Sequence, residues 1–165
     1  MPTGLSRLWR RTRREFRRYR GALPKLRTLD WRDWRTLIRA QVALIRAQLA
    51  VRTRPTGQLV SDEPEPSAPA SQDRIDDVRR VALAVNRAAA FGMVRARCLA
   101  RSMALRQLLA EEGIDGASVR VGVQVRGGQF VAHAWVEYAG QVVGDDPESV
   151  ARYAPLTGMQ VADLE

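Results

Sequence analysis

The chain has 165 residues, 45% of them hydrophobic, enough for one domain with a core plus extensions and too few for a second large domain. A single cysteine excludes an internal disulfide framework, and one cysteine with one histidine cannot supply a usual structural or catalytic zinc site, so no metal and no cofactor is expected. The net charge of +9 hides a division: residues 1–60 carry 16 Lys and Arg against 3 Asp and Glu, whereas residues 61–165 carry 11 against 15.

The basic side begins with Arg10-Arg11-Thr12-Arg13-Arg14-Glu15-Phe16-Arg17-Arg18-Tyr19-Arg20, which is too charged to form a core by itself. Such a run reads first as a solvated face, and otherwise as a surface for phosphates, anionic lipid heads or an acidic partner. Residues 30–52 read as a helix capped by Asp30. There the pentamer Leu-Ile-Arg-Ala-Gln occurs at 37–41 and again at 44–48, so Leu37/Leu44 and Ile38/Ile45 form an apolar stripe expected to dock on the chain's own domain. Residues 55–70, rich in proline, serine and acids, read as a linker or exposed loop. The expected organisation is a basic helical N-terminal extension over 1–54, the linker over 55–70 and the main domain over 71–165.

Ser71 is the expected N-cap of a second helix, with Ile75, Val78, Ala82 and Val85 at helical spacing and an end near Phe91-Gly92. A third helix starts near Cys98, carries Leu99, Met103, Leu105, Leu108 and Leu109, and closes at Glu111-Glu112-Gly113. Val119, Val121, Val123 and Val125 then alternate with polar or small residues, as a strand with one buried face does. Gly127-Gly128 turns the chain into a second strand, Phe130 to Tyr138, and Ala139-Gly140 leads to a third, Gln141 to Gly144. Helices followed by an antiparallel meander make the fold class α+β. Past Pro147, the tail with Tyr153, Pro155, Leu156 and Met159 is expected to cover the domain rather than to act.

This order sets the only cysteine at a helix start, the only histidine on a strand and a carboxylate pair, Asp145-Asp146, after the next strand. A helix N-terminus and an imidazolium both stabilise thiolate, and a carboxylate fixes the imidazole tautomer, so the three together are equipped for acyl transfer. A two-residue turn at Ala139-Gly140 puts Asp146 opposite His133 and turns Asp145 to the other face, unless the strand ends or bulges at Gly144. Backbone N–H groups at the Cys98 helix start are the candidate oxyanion donors. Gln124 is the side-chain candidate, though its polar place on an alternating strand accounts for it without a role.

Cys98-Leu99-Ala100-Arg101-Ser102-Met103-Ala104-Leu105, Val121-Gly122-Val123, Ala132-His133-Ala134-Trp135-Val136-Glu137 and Val142-Val143-Gly144-Asp145 resemble the lasso-peptide leader peptidases over about residues 75–157. The resemblance implies a transglutaminase-like, papain-related cysteine protease core in which a helix bearing the thiol packs on a small antiparallel sheet. It implies a Cys98–His133–Asp145 triad, while the register count keeps Asp146 as the alternative third member, and it implies removal of the leader from a ribosomally made precursor. A separate asparagine-synthetase-like cyclase then closes the macrolactam, and the ATP belongs to that partner, since this chain has no Gly-x-x-x-x-Gly-Lys loop. Residues 1–60 lack the alternating strands of a leader-recognition domain, so the chain resembles the split form and a separate leader-recognition protein is expected. No signal-peptide run or bilayer-spanning stretch is evident, and a cytoplasmic location suits the thiol. The alternatives are a transglutaminase-like acyltransferase with the same thiol, and a nucleic-acid-binding or scaffold protein acting through the basic arm, which otherwise offers a peripheral membrane contact.

Overall fold

The computed structural model describes residues 31–53, 71–92 and 96–156. The arginine-rich stretch 10–20, the linker 55–70 and Met159 lie outside them. The chain divides into two compact units, 1–35 and 36–165, and the second carries the hydrophobic core and the sheet.

Helix α1 spans Trp31–Thr53. Its buried face is Ala40, Ala43, Leu44 and Ala47, while Ile38, Val42 and Leu49 are exposed and Leu37 is half-buried. The expected leucine–isoleucine stripe is therefore rotated: alanines at helical spacing let the backbone come close, and Leu44, with the half-buried Leu37 and Val51 beside it, fills the gap. These residues share one core with the later helices and strands, so the helix docks on the chain's own domain.

Helix α2, Gln72–Phe91, starts at the expected cap, where the Ser71 hydroxyl accepts from the Arg74 N–H at 3.4 Å, and buries Val78, Val81, Ala82, Val85 and Ala88. Helix α3, Cys98–Glu111, buries Ala100, Ser102, Ala104, Leu105, Leu108 and Leu109, which lie around most of its circumference. A helix with so broad a buried surface belongs between layers, and α3 packs against α2 on one side and the sheet on the other. It ends as its sequence suggests: Gly113 adopts φ +70°, its N–H reaches the Ala110 carbonyl, and the Ile114 N–H reaches that of Leu109.

The sheet has strands β1 (Ser118–Arg126), β2 (Gln129–Tyr138), β3 (Gln141–Val143) and β4 (Ala154–Pro155) in the order β3-β2-β1-β4. Strands β1 and β2 pair antiparallel along their whole length, from Ser118↔Glu137 to Arg126↔Gln129. Gly127 and Gly128 (φ 58° and 76°) and Ala139 and Gly140 (φ 48° and 74°) make the two hairpin turns with left-handed backbone, as two-residue turns between twisted strands require. The short helix α4, Pro147–Val150, leads to β4, which pairs with Gly122 and Val123. Of the tail, β4 extends the sheet at its β1 edge and Tyr153 approaches the candidate site, while residues 157–165 lie outside the described residues.

Candidate active site

Cys98 is the first residue of α3, after Arg97 in extended conformation (ψ 166°). The N–H groups of the first helical turn have no acceptor within the helix, so the thiol sits in a field of unpaired donors. The Leu99 and Ala134 N–H groups point at the sulfur, and His133 hydrogen-bonds to it. Two contacts hold α3 against β2 at this level: that of the thiol with His133, and the Ser102 hydroxyl donating to the Ala134 carbonyl at 3.0 Å.

His133 stands mid-strand on β2, opposite Gly122. Its Nε2 is 2.7 Å from Asp145 Oδ2, which leaves Nδ1 to face the thiol. The ring has two aromatic neighbours, Trp135 at 6.3 Å between centroids (21° between planes) and Tyr153 at 5.1 Å (34°). Trp135 is buried, and its indole N–H donates to Glu137 at 2.9 Å, while Arg120 pairs with the other oxygen of that carboxylate at 3.2 Å. A Cβ at Gly122 would lie 2.8 Å from both the Trp135 ring and the Ala154 carbonyl, so only glycine lets the indole lie flat beside the histidine.

The third residue is the one that register counting misplaces. Strand β3 pairs only as far as Val136↔Val143, so the parity that would set Asp146 opposite His133 is never extended. Gly144 adopts φ +75°, breaks the strand and turns Asp145 toward the imidazole. A side chain there would be strained by the left-handed backbone, and its Cβ would press on Leu105 at 3.0 Å and Ala82 at 3.4 Å. Asn86 on α2 donates to the Gly144 carbonyl at 2.7 Å and pins this bend. Asp146 turns the other way, and its carboxylate accepts from Ser149 at 2.7 Å. The structure thus brings Cys98, His133 and Asp145 together, and sets Asp146 at the cap of α4.

Arg101 completes the cluster. One turn after Cys98, it donates to Asp145 Oδ2 at 2.9 Å, the same oxygen that meets His133, while Oδ1 accepts from the Asp146 N–H at 3.1 Å. Its helical spacing from the thiol was the available signal. Trp135, two residues after His133 on the same strand face, was legible in the same way. Asn86 and Tyr153 arrive from distant segments and left no local signal. Gln124 pairs across the hairpin with Val131, on the sheet face that carries His133.

The electrostatics favour charge separation. Burial alone pushes the Cys98 thiol up, but the His133 hydrogen bond, the Ala134 and Leu99 N–H groups and the histidine's charge outweigh it and hold the thiol below its ordinary range. His133 is pushed up to about 9, first by its hydrogen bond to Asp145 and then by that to Cys98, against burial. Burial likewise raises Asp145, and is overcome by the His133 hydrogen bond and the Arg101 and His133 charges, which keep it ionised below the usual carboxylate range. All three shifts favour a thiolate–imidazolium–carboxylate row, steadied by a guanidinium. Among the described residues no three His, Cys, Asp or Glu side chains are grouped as metal ligands. Nor is any described helix long and apolar enough to cross a membrane.

No curated protein and no solved structure matches the chain. The sequence profile of the transglutaminase-like superfamily, whose members are typically cysteine proteases or acyltransferases, matches residues 41–158. That span, well over half of the chain, runs from the second turn of buried alanines in α1 to beyond β4 and takes in the whole thiol–imidazole–carboxylate cluster, so the chain belongs to the transglutaminase-like superfamily.

Proposed function

We propose that this protein is a cysteine endopeptidase that removes the leader from a ribosomally made lasso-peptide precursor, with Cys98, His133 and Asp145 as its triad. The observation that carries the reading is His133 poised between the Cys98 thiol and the Asp145 carboxylate, within the superfamily's matched span. The motifs around these residues, which resemble the leader peptidases, supply the substrate class. The partners implied are a separate leader-recognition protein and an asparagine-synthetase-like cyclase, and the location a cytoplasmic one.

The chemistry follows from the geometry. The Cys98 thiolate attacks the scissile carbonyl carbon, forming a C–S bond and moving the carbonyl π pair onto oxygen, where the Cys98 N–H at the head of α3 is the nearest candidate donor. Protonated His133 passes its proton to the departing amine as the C–N bond breaks, leaving a thioester between Cys98 and the leader. Neutral His133 then takes a proton from water, the hydroxide adds to the thioester carbon, and breaking the C–S bond returns the thiolate with the leader as free carboxylate. Asp145 keeps the imidazole oriented throughout, and Arg101 keeps Asp145 ionised.

The test is incubation with the precursor peptide and the leader-recognition protein, followed by mass spectrometry of the products. Wild type is expected to release free leader, and Cys98→Ala and His133→Ala, folded by circular dichroism, to release none. Leader released by Cys98→Ala protein overturns the mechanism, and a leader joined to an added amine in place of water identifies an acyltransferase.

A further inference from the structure

The two tight hairpins dictate where every backbone group of β2 points. Residues flanking a two-residue turn hydrogen-bond each other, so Gln129, Val131 and His133 direct their N–H and C=O groups to β1, and the alternate residues direct theirs to the opposite edge. Along that opposite edge, Tyr138 and Val136 face β3, and Ala134 gives its N–H to the Cys98 sulfur and its carbonyl to Ser102. Next come Ala132 and Phe130, for which the described residues supply no backbone partner.

The side chains repeat this pattern. Val119, Val121, Val123 and Val125 share one sheet face with their cross-strand partners Val136, Ala134, Ala132 and Phe130. Helix α3 covers the near end, where Val119, Val136 and Ala134 are 0%, 1% and 2% exposed. The cover stops at the helix's first residue, which is the nucleophile, and beyond it Val125 and Phe130 are 66% and 81% exposed. An apolar strip and a strand edge left unpaired among the described residues thus begin together at Cys98 and run about 10 Å along β2, the length of three extended residues.

We propose that this strip is where the polypeptide substrate docks, lying as an added strand against Ala132 and Phe130 with an apolar side chain on the Val125/Phe130 pair. The inference rests on the peptidase reading, since it takes the occupant to be the chain whose amide bond Cys98 attacks. A free edge invites strand addition, main-chain hydrogen bonds give affinity without sequence preference, and the apolar pair then selects one side chain a few residues from the scissile bond. Continuity with the thiol sets the occupant: an extended segment paired at Ala132 is led directly to the sulfur.

The test separates docking from chemistry. In full-length Cys98→Ala protein, a blocked pentapeptide containing phenylalanine or leucine should slow amide hydrogen exchange at Phe130 and Ala132 severalfold, while an all-glycine pentapeptide should not. In active protein, a peptidyl chloromethyl ketone with an apolar residue should alkylate Cys98 faster than its glycine counterpart. Phe130→Ser should erase that preference, and Ala132→Pro, which removes the outward N–H and fixes φ near about −65° while leaving the β1 ladder its bonds, should slow the peptidyl reagent roughly fivefold to tenfold. Alkylation by iodoacetamide, which makes no strand contact, should keep its rate in both variants. Unchanged exchange at both amides with saturating peptide, or protection before any peptide is added, overturns the proposal. Peptide protection without any cleavage of precursor would instead discard the leader-peptidase reading and leave the docking strip standing.

Discussion

The chain's single histidine makes the charge state of the site directly measurable, because in untagged protein the only imidazole signal in an NMR titration is that of His133. Its rise from 6.5 to about 9 corresponds to about 3 kcal/mol of preference for the charged ring at roughly 1.4 kcal/mol per pKa unit. The hydrogen bond to Asp145 is the largest contribution, ahead of that to Cys98, so Asp145→Asn should lower the midpoint by more than about one unit, and Asp146→Asn should leave it nearly in place. Since the protonated ring must feed the leaving amine, the alkaline limb of leader cleavage should fall near pH 9 in wild type and move to lower pH in Asp145→Asn. Stability follows with a definite sign. A raised histidine pKa stabilises the fold fully below about 6.5, and the benefit fades as pH climbs through about 9. The lowered Asp145 contributes above the usual carboxylate range and is lost on acidification. The lowered Cys98 acts with the opposite sign in the same window, because the folded thiol gives up a proton that the unfolded one keeps, so melting should fall from pH 6.5 upward in Cys98→Ala protein and less steeply in wild type. A wild-type imidazole titrating below 7, or a midpoint unmoved by Asp145→Asn, would refute the coupling.

Other outcomes follow from the same contacts. Gly144→Ala forces a side chain into left-handed backbone 3.0 Å from Leu105, so calorimetry should register a loss of about 1–2 kcal/mol or more, with cleavage falling further as Asp145 swings away. Arg101→Ala removes the cation that shares Asp145 Oδ2 with the ring and should shift the His133 midpoint upward in the imidazole titration while the far-ultraviolet spectrum is kept. Leu109→Ala, at a fully buried position between α2 and the sheet, should cost about 2–5 kcal/mol in denaturant unfolding. Ser71→Ala deletes an exposed cap and should cost about 1 kcal/mol without touching cleavage.

Much of the scaffold was legible in local chemistry. The Ser71 cap, the glycine stop at Gly113, the strand alternation in β1 and the two-residue turns each follow from the preferences of a few neighbouring residues, and each stands where expected. The direction of burial on α1 was not legible, because a repeat places Leu37, Ile38 and their copies on one stripe but cannot say which edge of it meets the core. Only the approach of other elements selected Leu44 and the alanines and left Ile38 in solvent.

The same division runs through the candidate site. One thiol and one imidazole in a chain of this composition, at a helix start and on a strand, are properties of the sequence, as is the presence of two adjacent carboxylates to choose between. The choice between those carboxylates belonged to tertiary structure. Strand parity is a local rule that holds only while the ladder continues, and here it stops at Val143, where Gly144, wedged against Leu105 and Ala82 and held by Asn86, bends the chain. Arg101, Trp135 and Tyr153 gain their places around His133 in the same way. Their contacts depend on where helix, sheet and tail meet, which short-range preference does not encode.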